Sequence, residues 1–219
     1  MTVIAVFNDG DEHWICSDAD SYYGNTIVRS IQRKARYFEE GKILMGHVGE
    51  AVFGQRLAYE IGKSDAIDGD SDYLGLLDFV ESLRCNTSGI LDGKVEGLTM
   101  ISVKSGIYLI SADGGLHQVA GDFWAIGQGQ EYALGYMEAM RDELAGGMAD
   151  AVIRSAVECA GKYSTHCCGV SEAVGCFFTD RIKGSPIEKV GKALKRRNEI
   201  VGGGCLTQDL ARLKTNDRY

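Results

Sequence analysis

Residues 2–20, TVIAVFNDGDEHWICSDAD, contain two β-prone runs, TVIAVFN (2–8) and HWICSD (13–18), around Asp9-Gly10-Asp11. Asp and Gly tolerate the positive φ that a tight hairpin demands, so this spacing predicts antiparallel neighbouring strands. With a loop of two or three residues, Thr2 lies opposite Ser17, Asp18 or Ala19. In each register Asp18 ends close to Thr2, which puts a hydroxyl and a carboxylate at one end of the first sheet.

Working outward, Ala35–Glu39 and Ile43–Val48 continue the β pattern. AVFGQRLAYEIG and LGLLDFVESL then carry apolar residues at three- and four-residue spacing, which predicts amphipathic helices. LTMISV, IYLISA and FWAIG are the next strands. EYALGYMEAMRDEL and MADAVIRSAVECAGKY are two further helices, and VGCFFTD is a late strand. Strands, two helices, strands, two helices and a strand make an α+β pattern of antiparallel sheet packed on helices, in place of strict βαβ alternation. The single proline, Pro186, stands beside Gly184 and Ser185 and marks the expected boundary between a core domain, residues 1–183, and a basic C-terminal extension, 184–219.

The 219 residues suit one domain, and 45% apolar with 25% charged residues is ordinary globular composition. A net charge of −8 argues against nucleic-acid binding, which needs Lys and Arg against phosphate. From Arg181 onward, however, 10 basic residues face 4 acidic ones. Seven cysteines with no C-x-x-C pair are expected as free thiols in a reducing cytoplasm. No run reaches the roughly 20 apolar residues of a membrane span. Asp18 and Asp20 have no histidine beside them, and no metal or organic cofactor is expected.

A threonine hydroxyl is a weak nucleophile unless a base takes its proton, and at a mature N-terminus the residue's own α-amine can do so. That amine titrates near ~7.7–8.0 and is therefore substantially neutral at cellular pH. Met1 directly precedes Thr2, no leader is expected ahead of it, and its removal is the expected maturation step. Lys34, at the head of the strand-like Ala35–Glu39, is placed to put a cation between Thr2 and Asp18. There it would lower the amine's pKa by charge repulsion while the carboxylate compensates it. Gly49, between a strand and a helix in ILMGHVGEA, offers an unobstructed backbone N–H to a reacting carbonyl.

From Thr2 to Gly49 the chain resembles the proteasome β-subunit and HslV-type family of N-terminal nucleophile hydrolases. The features that carry it are the strand TVIAV, the aspartate of CSDAD, the Gly-Asn of YYGNTIV, the lysine of QRKAR and the MGHVG turn. WAIGQGQEYALGYMEAM is similar to the family's strand-to-helix junction. The resemblance covers roughly residues 2–170. It implies a four-layer αββα sandwich and a homo-oligomeric ring enclosing the active sites. It also implies peptide-bond hydrolysis of peptide or unfolded protein through a threonyl ester, with an ATP-dependent unfoldase as a possible partner. Thr2 would be the nucleophile, Asp18 and Lys34 its partners, and the Gly49 N–H the oxyanion donor.

The chain departs from that pattern at Gln128, where the family has a serine, at Gln130, where it has a glycine, and at Thr165 and Cys168, where it has an aspartate and a serine. The family's pocket for the side chain before the scissile bond falls on Ser21, Gln32, Arg36, His47 and Ala51. Arg36 with His47 makes this pocket polar or cationic and favours acidic side chains. Two other readings stay open: an amidohydrolase or transpeptidase with the same N-terminal chemistry, and a non-catalytic ring or scaffold subunit.

Overall fold

In the computed structural model, β1 (Val3–Asn8) and β2 (Glu12–Ser17) form the expected hairpin, with Ile4 opposite Ser17 and Asn8 opposite His13. The structure describes residues 2–23, 26–29, 34–39, 42–86, 96–164, 167, 169–170 and 173–178. The boundary at Gly184 and the basic extension lie outside them. The Asp9 carboxylate accepts from the N–H groups of Asp11 and Glu12, and the Asn8 side chain accepts from Gly10, so the turn residues satisfy their own backbone.

The next elements are β3 (Asp20–Tyr23), β4 (Thr26–Arg29), β5 (Ala35–Phe38), β6 (Ile43–Gly49), α1 (Ala51–Lys63), α2 (Tyr73–Asn86), β7 (Gly97–Val103) and β8 (Gly106–Ser111). After these come β9 (Leu116–Gln118), β10 (Phe123–Gly127), α3 (Gln130–Ala139), α4 (Arg141–Glu143), α5 (Ala149–Tyr163) and β11 (Val174–Phe177). Among the described residues the strands form an antiparallel sheet in the order β10-β1-β2-β11, a second in the order β5-β6-β7-β8-β9, and the small β3-β4 ribbon.

Alternation along each strand sorts side chains into three apolar layers. Val3, Ala5 and Phe7 of β1 face Ala133, Met137, Ile153, Ala156 and Val157 of α3 and α5. Ile4 and Val6 point the other way and meet Ile15, Leu44, Met100 and Ile107 between the two sheets. Ile43 and Met45 of β6 pack on Phe53, Leu57, Ile61, Leu76 and Val80 of α1 and α2. Helices, sheet, sheet, helices is therefore the four-layer sandwich expected above. Among the described residues, the polar side chains of Asn8, His13 and Ser102 are built into the layer between the sheets, at the end away from Thr2. Asn8 donates to the Ser102 hydroxyl at 2.8 Å and to the carbonyls of Val103 and Gly106, and His13 Nδ1 lies 3.1 Å from the same hydroxyl.

The long helix expected over 131–144 instead breaks at Met140. It continues as the short α4 and a wide π turn over Leu144–Met148, where Gly147 takes φ +85°. The Gly146-Gly147 pair has no side chains to hold an α-helical path. Among the described residues no helix is long and apolar enough to cross a membrane.

Candidate active site

Thr2 sits just ahead of β1 and is fixed by its backbone. Its carbonyl accepts from the Gln128 N–H at 2.9 Å. On the next residue, the Val3 N–H donates to Asp18 Oδ1 at 3.0 Å, and the Val3 carbonyl accepts the Asp18 N–H at 3.1 Å. Extending the hairpin register puts Thr2 level with Ala19, one of the three expected positions.

The other flank of Thr2 is β10, where Gly127 has φ +101° and a Cβ would collide with the Thr2 carbonyl oxygen. Gly127→Ala therefore strains both the backbone and the seat of Thr2. It should cost more than about 1 kcal/mol of stability, read by thermal denaturation, and lower turnover as well.

Lys34, just before β5, leaves 10% of its side chain exposed and donates from Nζ to Asp18 Oδ2 at 2.8 Å; the Asp18 side chain is wholly buried. Each carboxylate oxygen thus has its own donor, as an ionised Asp requires. Burial pushes the Asp18 carboxyl above its ordinary value, while the Lys34 charge and hydrogen bond and the Val3 N–H pull it down without cancelling that effect.

Gly49 closes β6 at φ +109°, and a Cβ there would come 2.5 Å from the Glu96 carbonyl oxygen, which only glycine avoids. The following N–H, that of Glu50, bonds the Glu96 carbonyl at 2.9 Å. Gly49 and Gly97 are consequently a non-hydrogen-bonded pair of the ladder, and the Gly49 N–H faces the edge of β6 away from β7, the side on which β5 and Lys34 lie.

Of the expected pocket residues, Arg36 is half-buried on β5 and its charge reaches the His47 ring. His47 Nε2 lies 2.9 Å from the Glu50 carbonyl and Nδ1 2.9 Å from the Thr99 hydroxyl. Burial, aided by Arg36, holds its pKa below the ordinary value, so the ring is neutral and, of these two expected pocket residues, Arg36 is the charged one. Ala51 is exposed at the start of α1. Ser21 lies in β3 opposite Val28; its side chain and the whole of Gln32 fall outside the described residues, as do Thr165 and Cys168.

Gln128 is exposed and Gln130 opens α3. Cys167 is buried with its sulfur against Gly129, and burial pushes its thiol pKa up. Its sulfur is accordingly a core thiol. Sequence reasoning missed the roles of Gly127 and Thr99. The signal for Thr99 was available as the polar residue at an inward position of LTMISV.

No family model matches the chain. Among curated proteins, the chain is 29% identical over 145 residues to the ATP-dependent protease subunit HslV of Borreliella burgdorferi, covering 63% of this chain and 77% of that protein. It is 26% identical over 133 residues to the HslV subunit of Thermosipho melanesiensis, covering 61% and 74%. Among solved structures, the eukaryotic HslV of Trypanosoma brucei superposes with a TM-score of 0.65 at 16% identity, over 80% of this chain and 99% of that one. Thiobacillus denitrificans BPH in complex with epoxomicin superposes with a TM-score of 0.64 at 20% identity, over 82% and 100%. These structures share the fold of this chain, and its sequence is similar to HslV subunits of the proteasome β-subunit and HslV-type family of N-terminal nucleophile hydrolases.

Proposed function

We propose that this chain is a threonine-type peptidase whose nucleophile is Thr2, exposed by removal of Met1. One constellation carries the reading: Thr2 lies one residue from a backbone N–H held by Asp18, and Asp18 holds Lys34 in the same buried pocket. The HslV relatives, each named an ATP-dependent protease subunit, support it.

In the reaction, the neutral α-amine of Thr2 takes the proton from Oγ as Oγ attacks the scissile carbonyl carbon. Negative charge gathers on the carbonyl oxygen, where the Gly49 N–H stabilises it. Collapse breaks the C–N bond; the amine returns its proton to the leaving nitrogen, leaving a threonyl ester. A water molecule then gives its proton to the same amine and attacks the ester, and Oγ recovers a proton as the acid leaves. Lys34 keeps the amine's pKa low and stabilises charge along this path, with Asp18 as its counter-charge. The chemistry uses no metal or organic cofactor. The reading carries with it a homo-oligomeric ring in the cytoplasm, fed with unfolded protein by an ATP-dependent unfoldase; the relatives' naming as ATP-dependent protease subunits supports the ATP dependence.

Intact-mass analysis after treatment with epoxomicin tests the reading. The expected result is a chain beginning at Thr2 and carrying one inhibitor adduct. A chain that has lost Met1 yet remains unlabelled and inactive on peptides refutes it in favour of a scaffold subunit.

Side-chain preference follows from Arg36. Fluorogenic peptides with acidic residues before the scissile bond should be cleaved fastest, and Arg36→Ala should lower their kcat/KM about fivefold, the scale of a half-exposed ion pair. Faster cleavage after apolar residues in the unaltered protein would overturn this preference.

A further inference from the structure

Thr2 is flanked by two stretches of main chain. On one side is Ala19, level with it when the hairpin register is extended; on the other is the turn Gly127-Gln128-Gly129 between β10 and α3, whose Gln128 N–H bonds the Thr2 carbonyl at 2.9 Å. Two residues that follow α5, Cys167 and Gly169, bear on these flanks.

A Cβ built on Gly129 would come 2.9 Å from the Ala160 Cβ, 3.0 Å from the Cys167 sulfur and 3.2 Å from the Val3 Cβ. The sulfur and two side chains thus close on the bare Cα of this glycine. On the opposite flank, Gly169 takes φ +67°, and a Cβ built on it would come 3.2 Å from the Ala19 Cβ. One short segment therefore backs Thr2 from both sides.

Cys167 is wholly buried and belongs to the apolar cluster that Val3 and Ala160 also join. Its sulfur nevertheless feels the charges of Asp18 and Lys34, which puts it beside the buried ion pair, and its thiol bonds the Ser164 side chain. Burial keeps the thiol protonated, so it adds no charge there and contributes bulk. Interiors are packed as densely as molecular crystals, and a group removed or added shifts its neighbours. Here the neighbour is the turn that carries the Gln128 N–H.

We infer that Cys167 is a positioning residue for the nucleophile: its sulfur, packed against Gly129, holds the 127–129 turn in place against the main chain of Thr2, while Gly169 backs Ala19 on the other flank. This role rests on the peptidase reading and deepens it. Cys167 acts through the main chain, away from the reacting atoms, and a misplacement of about an ångström in a reacting group costs on the order of a hundredfold in rate.

The test compares Cys167→Ala, Cys167→Ser, Gly129→Ala and the double variant Cys167→Ala with Gly129→Ala in the complete chain. Peptide kinetics across pH, the rate of epoxomicin adduct formation on Thr2 and thermal denaturation are measured for each. Cys167→Ala removes the sulfur and should lower kcat about tenfold, with KM within about twofold. Gly129→Ala pushes the turn off the sulfur and should lower kcat about a hundredfold. In the double variant the two losses should not multiply, because the methyl added at position 129 occupies space that the sulfur vacates. Adduct formation should slow by the same factors as kcat. The Thr2 amine also loses its fixed distance from the Lys34 ammonium, so the acid limb of kcat/KM should rise toward the ordinary α-amine range of about 7.7–8.0, a shift that loss of folded protein does not produce. Cys167→Ser restores most of the bulk and the bond to Ser164, and its kcat should return to within about threefold of the unaltered protein. If Gly129→Ala does not fold, the Cys167 pair decides alone. An unchanged kcat and acid limb in Cys167→Ala, or a loss that Cys167→Ser does not recover, overturns this role while leaving the peptidase reading intact. Absent turnover and an unlabelled Thr2 in the unaltered protein overturn both.

Discussion

Thr2→Ala is expected to end hydrolysis while leaving the fold intact. Removing the nucleophile of a covalent mechanism costs on the order of ten-thousandfold or more in kcat, with the remaining rate owed to binding and charge stabilisation. The fold should hold because Thr2 enters it through its main chain. Its carbonyl bonds the Gln128 N–H, and the apolar ladder begins at Val3. The altered protein should melt within a degree or two of the original and show no epoxomicin adduct by intact mass. Thr2→Ser keeps a hydroxyl and an amine and should retain measurable turnover. Full activity in Thr2→Ala would assign the chemistry to another residue.

The second large effect concerns the buried ion pair. Asp18→Ala takes one partner from Lys34 and the side-chain acceptor from the Val3 N–H at once, and removing one member of a buried ion pair costs about 3–5 kcal/mol. Lys34→Met is milder for stability, because Asp18 can take up a proton in place of the lost ion pair.

The sign of the pH dependence follows from Asp18. Its folded pKa is raised by burial, so the folded chain binds that proton more firmly than the unfolded chain does, and this group favours folding progressively as the pH drops through the folded value. Losing Lys34 raises that value further. The stability gap between Lys34→Met and the unaltered protein should therefore be widest near neutrality and shrink in acid. For catalysis, the lost ammonium no longer repels a proton on the Thr2 amine, so the acid limb of kcat/KM should move to higher pH, with kcat reduced about a hundredfold or more. Chemical denaturation and pH–rate profiles check both statements. A gap that widens in acid would mean that Asp18 is not the titrating group.

What was legible in the sequence was local. Asp9-Gly10-Asp11 sets the hairpin and so brings Asp18 to Thr2; the helix periodicities of α1, α2 and α5 follow from where each buries its apolar face. The strand β9 was missed because three residues, Leu116–Gln118, are too few to show alternation. The break after Met140 was hidden because the apolar spacing runs on through it, and the paired glycines mark only the π turn that follows. The partnership of β1 with β10 joins residues over a hundred positions apart, and nothing local encodes it. For the same reason Gly127 gave no sign that its missing side chain makes room for Thr2. His47 was noticed, but not its partner Thr99, which the fold brings to it.

The groups proposed to act together come from two sheets, Thr2 and Asp18 from one, Lys34 and Gly49 from the borders of the other. Between those sheets lie mostly greasy surfaces, which hold them together but offer little resistance to sliding. The bonds of Asn8 to Ser102, Val103 and Gly106 are directional, and they work like a dowel driven through both plates at the far end. Lateral slippage of either plate would pull Thr2 and Asp18 away from Lys34, so the ion pair at one end of the sandwich and the Asn8 bonds at the other hold the same alignment.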